Sequence, residues 1–134
     1  VVGEWIAQPT ESGRSVRVDY RRLSKGSVLV EAWQAGTTGE TLSVFHRDGD
    51  RVLATHYCAQ GNQPRLAMRE AQTAFVFDFI DATNLPDAAR PHLHHLELRP
   101  QPDGSLDRIE TYRSAGADET TRLHFVRAID SRGR

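Results

Sequence analysis

The sequence predicts a single all-β domain: an antiparallel β-barrel of about ten strands. Three observations carry that expectation. Short runs alternate apolar and polar side chains with a period of two, turn residues punctuate them every ~8–12 positions, and the one irregular segment holds two prolines. At 134 residues the chain has the length of one domain with one core.

The first strand opens at "GEWIAQ". In "SVRVDYRRL", Val16, Val18 and Tyr20 fall on one face and Arg17, Asp19 and Arg21 on the other. Lys25-Gly26 turns the chain into "SVLVEAW". "ETLSVFHR" and "RVLATHYCA" are joined by Asp48-Gly49-Asp50, the strongest hairpin cue in the chain. "RLAMREA", "AFVFDFID", "HLHHLELR", "DRIETYRS" and "TTRLHFVRA" follow, with turn residues at 100–104 and 115–118. Asp81 to Leu93 breaks the rhythm. Pro86 suits a first helical turn and Pro91 forbids a long helix, so a short helical or loop insertion is expected near 82–91.

A closed barrel is expected over a sandwich, because hairpin-connected strands running round a barrel leave no exposed edge. The barrel is expected over residues 1–130 and a frayed tail over 131–134.

Composition narrows the partners. Seventeen basic and eighteen acidic residues give a formal charge of −1, with no basic footprint for nucleic acid and none for a lipid surface. No apolar run approaches the ~18–20 residues of a membrane helix. The single cysteine, Cys58, excludes an intramolecular disulfide and a multi-cysteine zinc site. These features fit a soluble protein, cytoplasmic or, with a leader removed, periplasmic. Its expected partner is a small molecule; a homodimer is compatible, and no cofactor is expected.

Gly3-Glu4-Trp5 on the first strand and Arg127 in "LHFVRA" on the last resemble the lipocalin and fatty-acid-binding-protein superfamily, the calycins. The resemblance implies an indole packed against the final-strand guanidinium, a cation–π pair closing one barrel end, with Trp5 and Arg127 as structural residues. The central stretch "VFHRDGDRVLATHYCAQGNQPRL" is similar to a bacterial group of lipocalin-like proteins of unknown function. That likeness implies the fold and brings no activity with it.

Several residues are candidates for chemistry. Glu31 shares a strand face with Leu29 and Trp33; a carboxylate in such surroundings would act as a general base, or be paired with an arginine of a neighbouring strand. His56 shares a face with Cys58 and is the other candidate base. Arg65, just past "GNQP", would bind a ligand carboxylate if it faces inward, with Gln63 adding an amide contact and Tyr57 stabilising developing charge; otherwise Arg65 and Gln63 bond the turn's own backbone and a neighbouring carboxylate. Phe75, Phe77 and Phe79 alternate on one face, so Phe77 belongs to core or pocket wall. His94 is a further polar contact. His46, His56, His92 and His94 are the weak metal candidates, since His-x-His on a strand is a ligand geometry. The readings are therefore binding of a mostly apolar ligand with a polar or anionic group, proton-transfer catalysis from Glu31 or His56, or a ligand-free structural domain.

Overall fold

A computed structural model describes residues 1–7 and 15–128. The ten strands are β1 (Gly3–Ala7), β2 (Arg17–Leu23), β3 (Val28–Trp33), β4 (Thr41–Asp48), β5 (Arg51–Tyr57), β6 (Gln63–Arg69), β7 (Phe75–Thr83), β8 (His92–Pro100), β9 (Leu106–Ser114) and β10 (Ala117–Arg127). Each pairs antiparallel with its sequence neighbour, and β1 closes on β10. The expected all-β, ten-stranded closed barrel is the observed one. Among the described residues, no helix is long and apolar enough to cross a membrane.

Alternation decides which side chains fill the lumen. The inward set includes Trp5, Tyr20, Phe45, Leu66, Phe77, Leu96, Leu106 and Phe125, all buried in one core cluster. At Gly49 a positive φ of 62° lets two residues turn the chain between Asp48 and Arg51. β10 starts at Ala117, three residues earlier than its sequence run, because Ala115 and Gly116 turn the chain with φ of 53° and 80°. The 82–91 insertion is a loop and not a helix. β7 extends to Thr83, leaving a short proline-bearing segment to reach His92. The frayed tail expected over 131–134 lies outside the described residues.

The barrel has two ends. The first carries the β2–β3, β4–β5, β6–β7 and β8–β9 connections, the start of β1 and the end of β10. Here the Arg127 guanidinium lies 4.1 Å from the Trp5 ring centroid, and Trp5 Nε1 donates to the Val1 carbonyl at 2.8 Å. Arg127 also donates to the Val2 carbonyl. Gly3 makes the stack possible: its φ is +127°, and a Cβ there would stand 2.5 Å from Arg127 Nη1.

Gly3→Ala should therefore displace the guanidinium and strain the backbone, costing roughly 1–3 kcal/mol. Urea unfolding measures it, and an unchanged midpoint would show that the glycine is dispensable.

Candidate functional site

Four inward side chains line up across adjacent strands: Tyr20 opposite Glu31, Glu31 opposite Ser43, and Ser43 opposite His56. Arg108 reaches them from β9, across the lumen. Its Nε donates to Glu31 Oε2 at 3.0 Å and its Nη2 to Oε1 at 2.9 Å, a forked pair between groups 2% and 1% exposed. Tyr20 OH donates to Glu31 Oε2 at 2.5 Å, and Arg108 Nη1 donates to Glu110 Oε2 at 2.8 Å. The Trp33 ring covers the guanidinium, with 4.7 Å from its centroid to Cζ.

Glu31 is thus inward-facing as the catalytic reading requires, but its arginine comes from the opposite wall and not from a neighbouring strand. Burial alone would raise its pKa. The charge of Arg108, with hydrogen bonds from Arg108 and Tyr20, outweighs that and holds the carboxyl below its usual range. Such a carboxylate is a committed ion-pair partner and a poor general base.

His56 sits at the other end of the row. Its Nδ1 lies 2.8 Å from Ser43 Oγ and its Nε2 3.3 Å from Tyr112 OH, which in turn lies 3.9 Å from Cys58 Sγ. Burial lowers the imidazole pKa, and Arg108 adds to the effect while Glu31 opposes it. The ring is neutral at pH 7, one nitrogen donating and the other accepting. Burial also pushes the Tyr112 phenol up, reinforced by the charge of Glu110. Ser43, His56, Tyr112 and Cys58 form a continuous chain of polar contacts inside the barrel.

The other candidates are not brought to this cluster. Arg65 faces outward, against the inward reading: Leu66 on β6 is fully buried, so alternation turns Arg65 to solvent. There it holds Asp81 at 2.7 and 2.5 Å. Tyr57, next to inward His56, is 49% exposed and also points out. Gln63 serves the turn, donating to the Gly61 carbonyl at 3.2 Å and accepting from Thr83 Oγ1 at 2.6 Å. His94 is the extra residue where the β8–β9 register shifts; it stacks on Phe79 at 4.9 Å, beside His92. His46 pairs with Leu53 on the outer face of β4. The four histidines are spread over two faces, and among the described residues no group of three or more His, Cys, Asp or Glu side chains could hold a metal ion.

Phe77 lines a cavity of about 280 Å³ at the first barrel end. Leu29, Phe45, Val52, Met68 and Leu98 share the lining, and Phe45 meets Phe77 edge-on with centroids 5.2 Å apart. His46 and Arg47 stand among the lining residues at the tip of the β4–β5 hairpin. Arg47 is exposed and pairs across the strands with Val52.

Sequence reasoning missed Arg108, Tyr112, Tyr20, Ser43 and Arg47 as site residues. In "DRIETYRS" both faces mix polar and apolar residues, so nothing local marks Arg108 as inward. No family model matches the chain, and no curated protein matches it.

Two outcomes test the lumen. Glu31→Leu and Arg108→Met should each cost about 3–5 kcal/mol by stranding the partner, while the double variant should recover most of it. Additive losses in that cycle would rule out a cross-lumen pair.

His56 should weaken the fold in acid. Its folded pKa lies below the unfolded value, so its stabilisation is present above about pH 6.5 and is lost as pH falls through the folded value, at up to ~1.4 kcal/mol per pH unit. His95 has the opposite sign: burial is outweighed by its bonds to Glu97 and Asp78, its pKa is raised, and its contribution fades as pH rises. Comparing wild type with His56→Gln isolates the His56 limb, which should flatten above the carboxylate range.

Proposed function

We propose that the chain is a calycin-type binding protein. It takes a small, mostly apolar molecule into the cavity at the first barrel end and holds a polar or anionic group of that ligand at the rim. The observation that carries this reading is the cavity itself. Inward-facing Leu29, Phe45, Val52, Met68, Phe77 and Leu98 leave about 280 Å³ between them, close to the ~300 Å³ at which small-molecule pockets begin. Phe75, on the same inward face of β7, is 46% exposed at the mouth. Arg47 supplies a cation there and has no ion pair among the described residues. The closed ten-stranded barrel and the Trp5–Arg127 stack support the calycin part of the reading.

Binding is preferred over proton transfer for a geometric reason. Both Glu31 oxygens are taken, and the cavity is lined by neither Glu31 nor His56. The polar contacts first expected from Glu31, His56, Arg65 and His94 pass in this reading to Arg47, while Phe77 keeps its role as wall.

The test is titration with 1-anilinonaphthalene-8-sulfonate, an apolar fluorophore carrying one anion. Native protein should bind it at one site. Arg47→Gln should weaken binding about 5–10-fold, the worth of one charge-assisted contact, and leave stability unchanged. Met68→Trp, filling the cavity, should abolish it. Binding indifferent to both substitutions would place the probe elsewhere and sink the proposal.

A further inference from the structure

Among the described residues, one buried side-chain polar atom has no hydrogen-bond partner: Oδ1 of Asn62. The residue is 3% exposed, and its Nδ2 donates to the Pro91 carbonyl at 3.0 Å. That bond identifies the other amide atom as the oxygen, because a flipped amide would set two acceptors together. Buried acceptors are paired as a rule, so an orphan beside reactive chemistry points to a donor the folded chain does not itself supply.

The reactive neighbour is Cys58. The Cys58 amide donates to the Asn62 carbonyl at 3.1 Å, the Gly61 amide to the Cys58 carbonyl at 2.9 Å, and Gly61 has a φ of 86°. This is a three-residue hairpin loop ending in a bulge glycine, and it sets Cys58 opposite Asn62. Both face inward, since His56 and Pro64, two positions further along each strand, are buried in the lumen. Side chains opposed in this way have Cβ atoms ~4.5–5.5 Å apart. Nδ2 is turned to Pro91, just ahead of β8, so the planar amide turns Oδ1 back toward β5 and the sulfur. The thiol nevertheless makes no hydrogen bond to it. Donors approach the sulfur from elsewhere: the Gln60 amide at 3.4 Å and Tyr112 OH at 3.9 Å. Cys58 itself is half-buried at the barrel end.

We propose that Cys58 is an oxidation site for hydrogen peroxide, with Asn62 Oδ1 as the acceptor that holds the sulfenic acid formed there. One oxygen added to Sγ brings a hydroxyl into the gap before Oδ1 and supplies the missing donor. The sulfur attacks one peroxide oxygen; an S–O bond forms, the O–O bond breaks, and sulfur gives two electrons to the peroxide. The thiol proton passes through Tyr112 OH to Nε2 of neutral His56, 3.3 Å beyond, while Nδ1–H donates to Ser43 Oγ. It returns through the same hydroxyl to the leaving oxygen, which departs as water. Thiol and peroxide thereby become sulfenic acid and water. A bulkier electrophile would place no donor in so narrow a gap. Cys58 is the only cysteine, so the sulfenic acid has no thiol in its own chain to condense with. The site lies at the barrel end opposite the apolar cavity, and its chemistry is independent of ligand binding there.

The experiment treats the native chain with hydrogen peroxide and follows it by intact mass and by dimedone, which traps sulfenic acid. The chain should gain one oxygen, and dimedone added later should still label Cys58. Transfer of the oxidised chain into urea should shorten the lifetime of the sulfenic acid at least tenfold. Asn62→Ala should shorten it about 5–10-fold in the folded chain, the worth of one buried hydrogen bond, with iodoacetamide labelling of the thiol unchanged. Asn62→Asp keeps an acceptor but loses the donor to Pro91, and should retain the native lifetime. Tyr112→Phe should slow oxidation about tenfold or more by cutting the proton route. Far-ultraviolet circular dichroism checks each variant. A native chain that dimedone never labels overturns the inference, as does a sulfenic acid that lives no longer in the fold than in urea. An equal lifetime in Asn62→Ala overturns it too and assigns Oδ1 to a bound water.

Discussion

The buried pair between Glu31 and Arg108 is the constraint on which the inside of this barrel depends. A guanidinium 2% exposed and a carboxylate 1% exposed are tolerable only together, because each alone would lose its hydration with nothing in return. The fork uses two donors of Arg108, Glu110 takes a third, and Tyr20 fills a remaining lone pair of Glu31. Since β3 and β9 lie on opposite walls, the pair also sets the distance across the lumen. His56 is held neutral beside it by the same burial, bonded to Ser43 and Tyr112 instead of to a charge.

That network limits what the barrel can hold. The middle of the lumen is occupied by the protein's own polar groups, and the apolar cavity is left at the end that carries the Trp5–Arg127 stack. The Phe45–Phe77 contact forms part of its wall. At the opposite end the connections tie to one another. Asn62 donates to the Pro91 carbonyl at 3.0 Å, Asn84 to the Gly61 carbonyl at 2.6 Å, and the Ala115 amide to the Ala89 carbonyl at 2.8 Å. "GNQP" thereby acquires a structural account: Gly61 turns with a φ of 86°, and Asn62 fastens the turn to the start of β8.

Much of the fold was legible because strand formation leaves a local mark. Val18 and Tyr20 alternate with Arg17, Asp19 and Arg21, and the alternation survives in the barrel with the apolar face inward. The shared faces of Glu31 with Leu29 and Trp33, and of His56 with Cys58, were legible for the same reason. Glu31 also stood out as a carboxylate in an apolar run. Its partner did not, because Arg108 is 77 positions away and enters from the far wall. Arg65 stayed open between a ligand contact and a neighbouring carboxylate for a related reason: a turn residue's side chain takes its direction from the strand that follows, and buried Leu66 sets that direction.

The sequence by itself determined ten strands, their hairpin order and which residues share a face. Those properties follow from period-two alternation and from turn residues with unusual backbone angles, both carried by neighbours in the chain. Only the tertiary structure decided which arginine neutralises Glu31, that Arg65 pairs outside with Asp81 and where the cavity lies. Each of these depends on how strands far apart in sequence meet around a closed ring. Closure sets strand register and tilt for the whole barrel at once, so no local stretch encodes it.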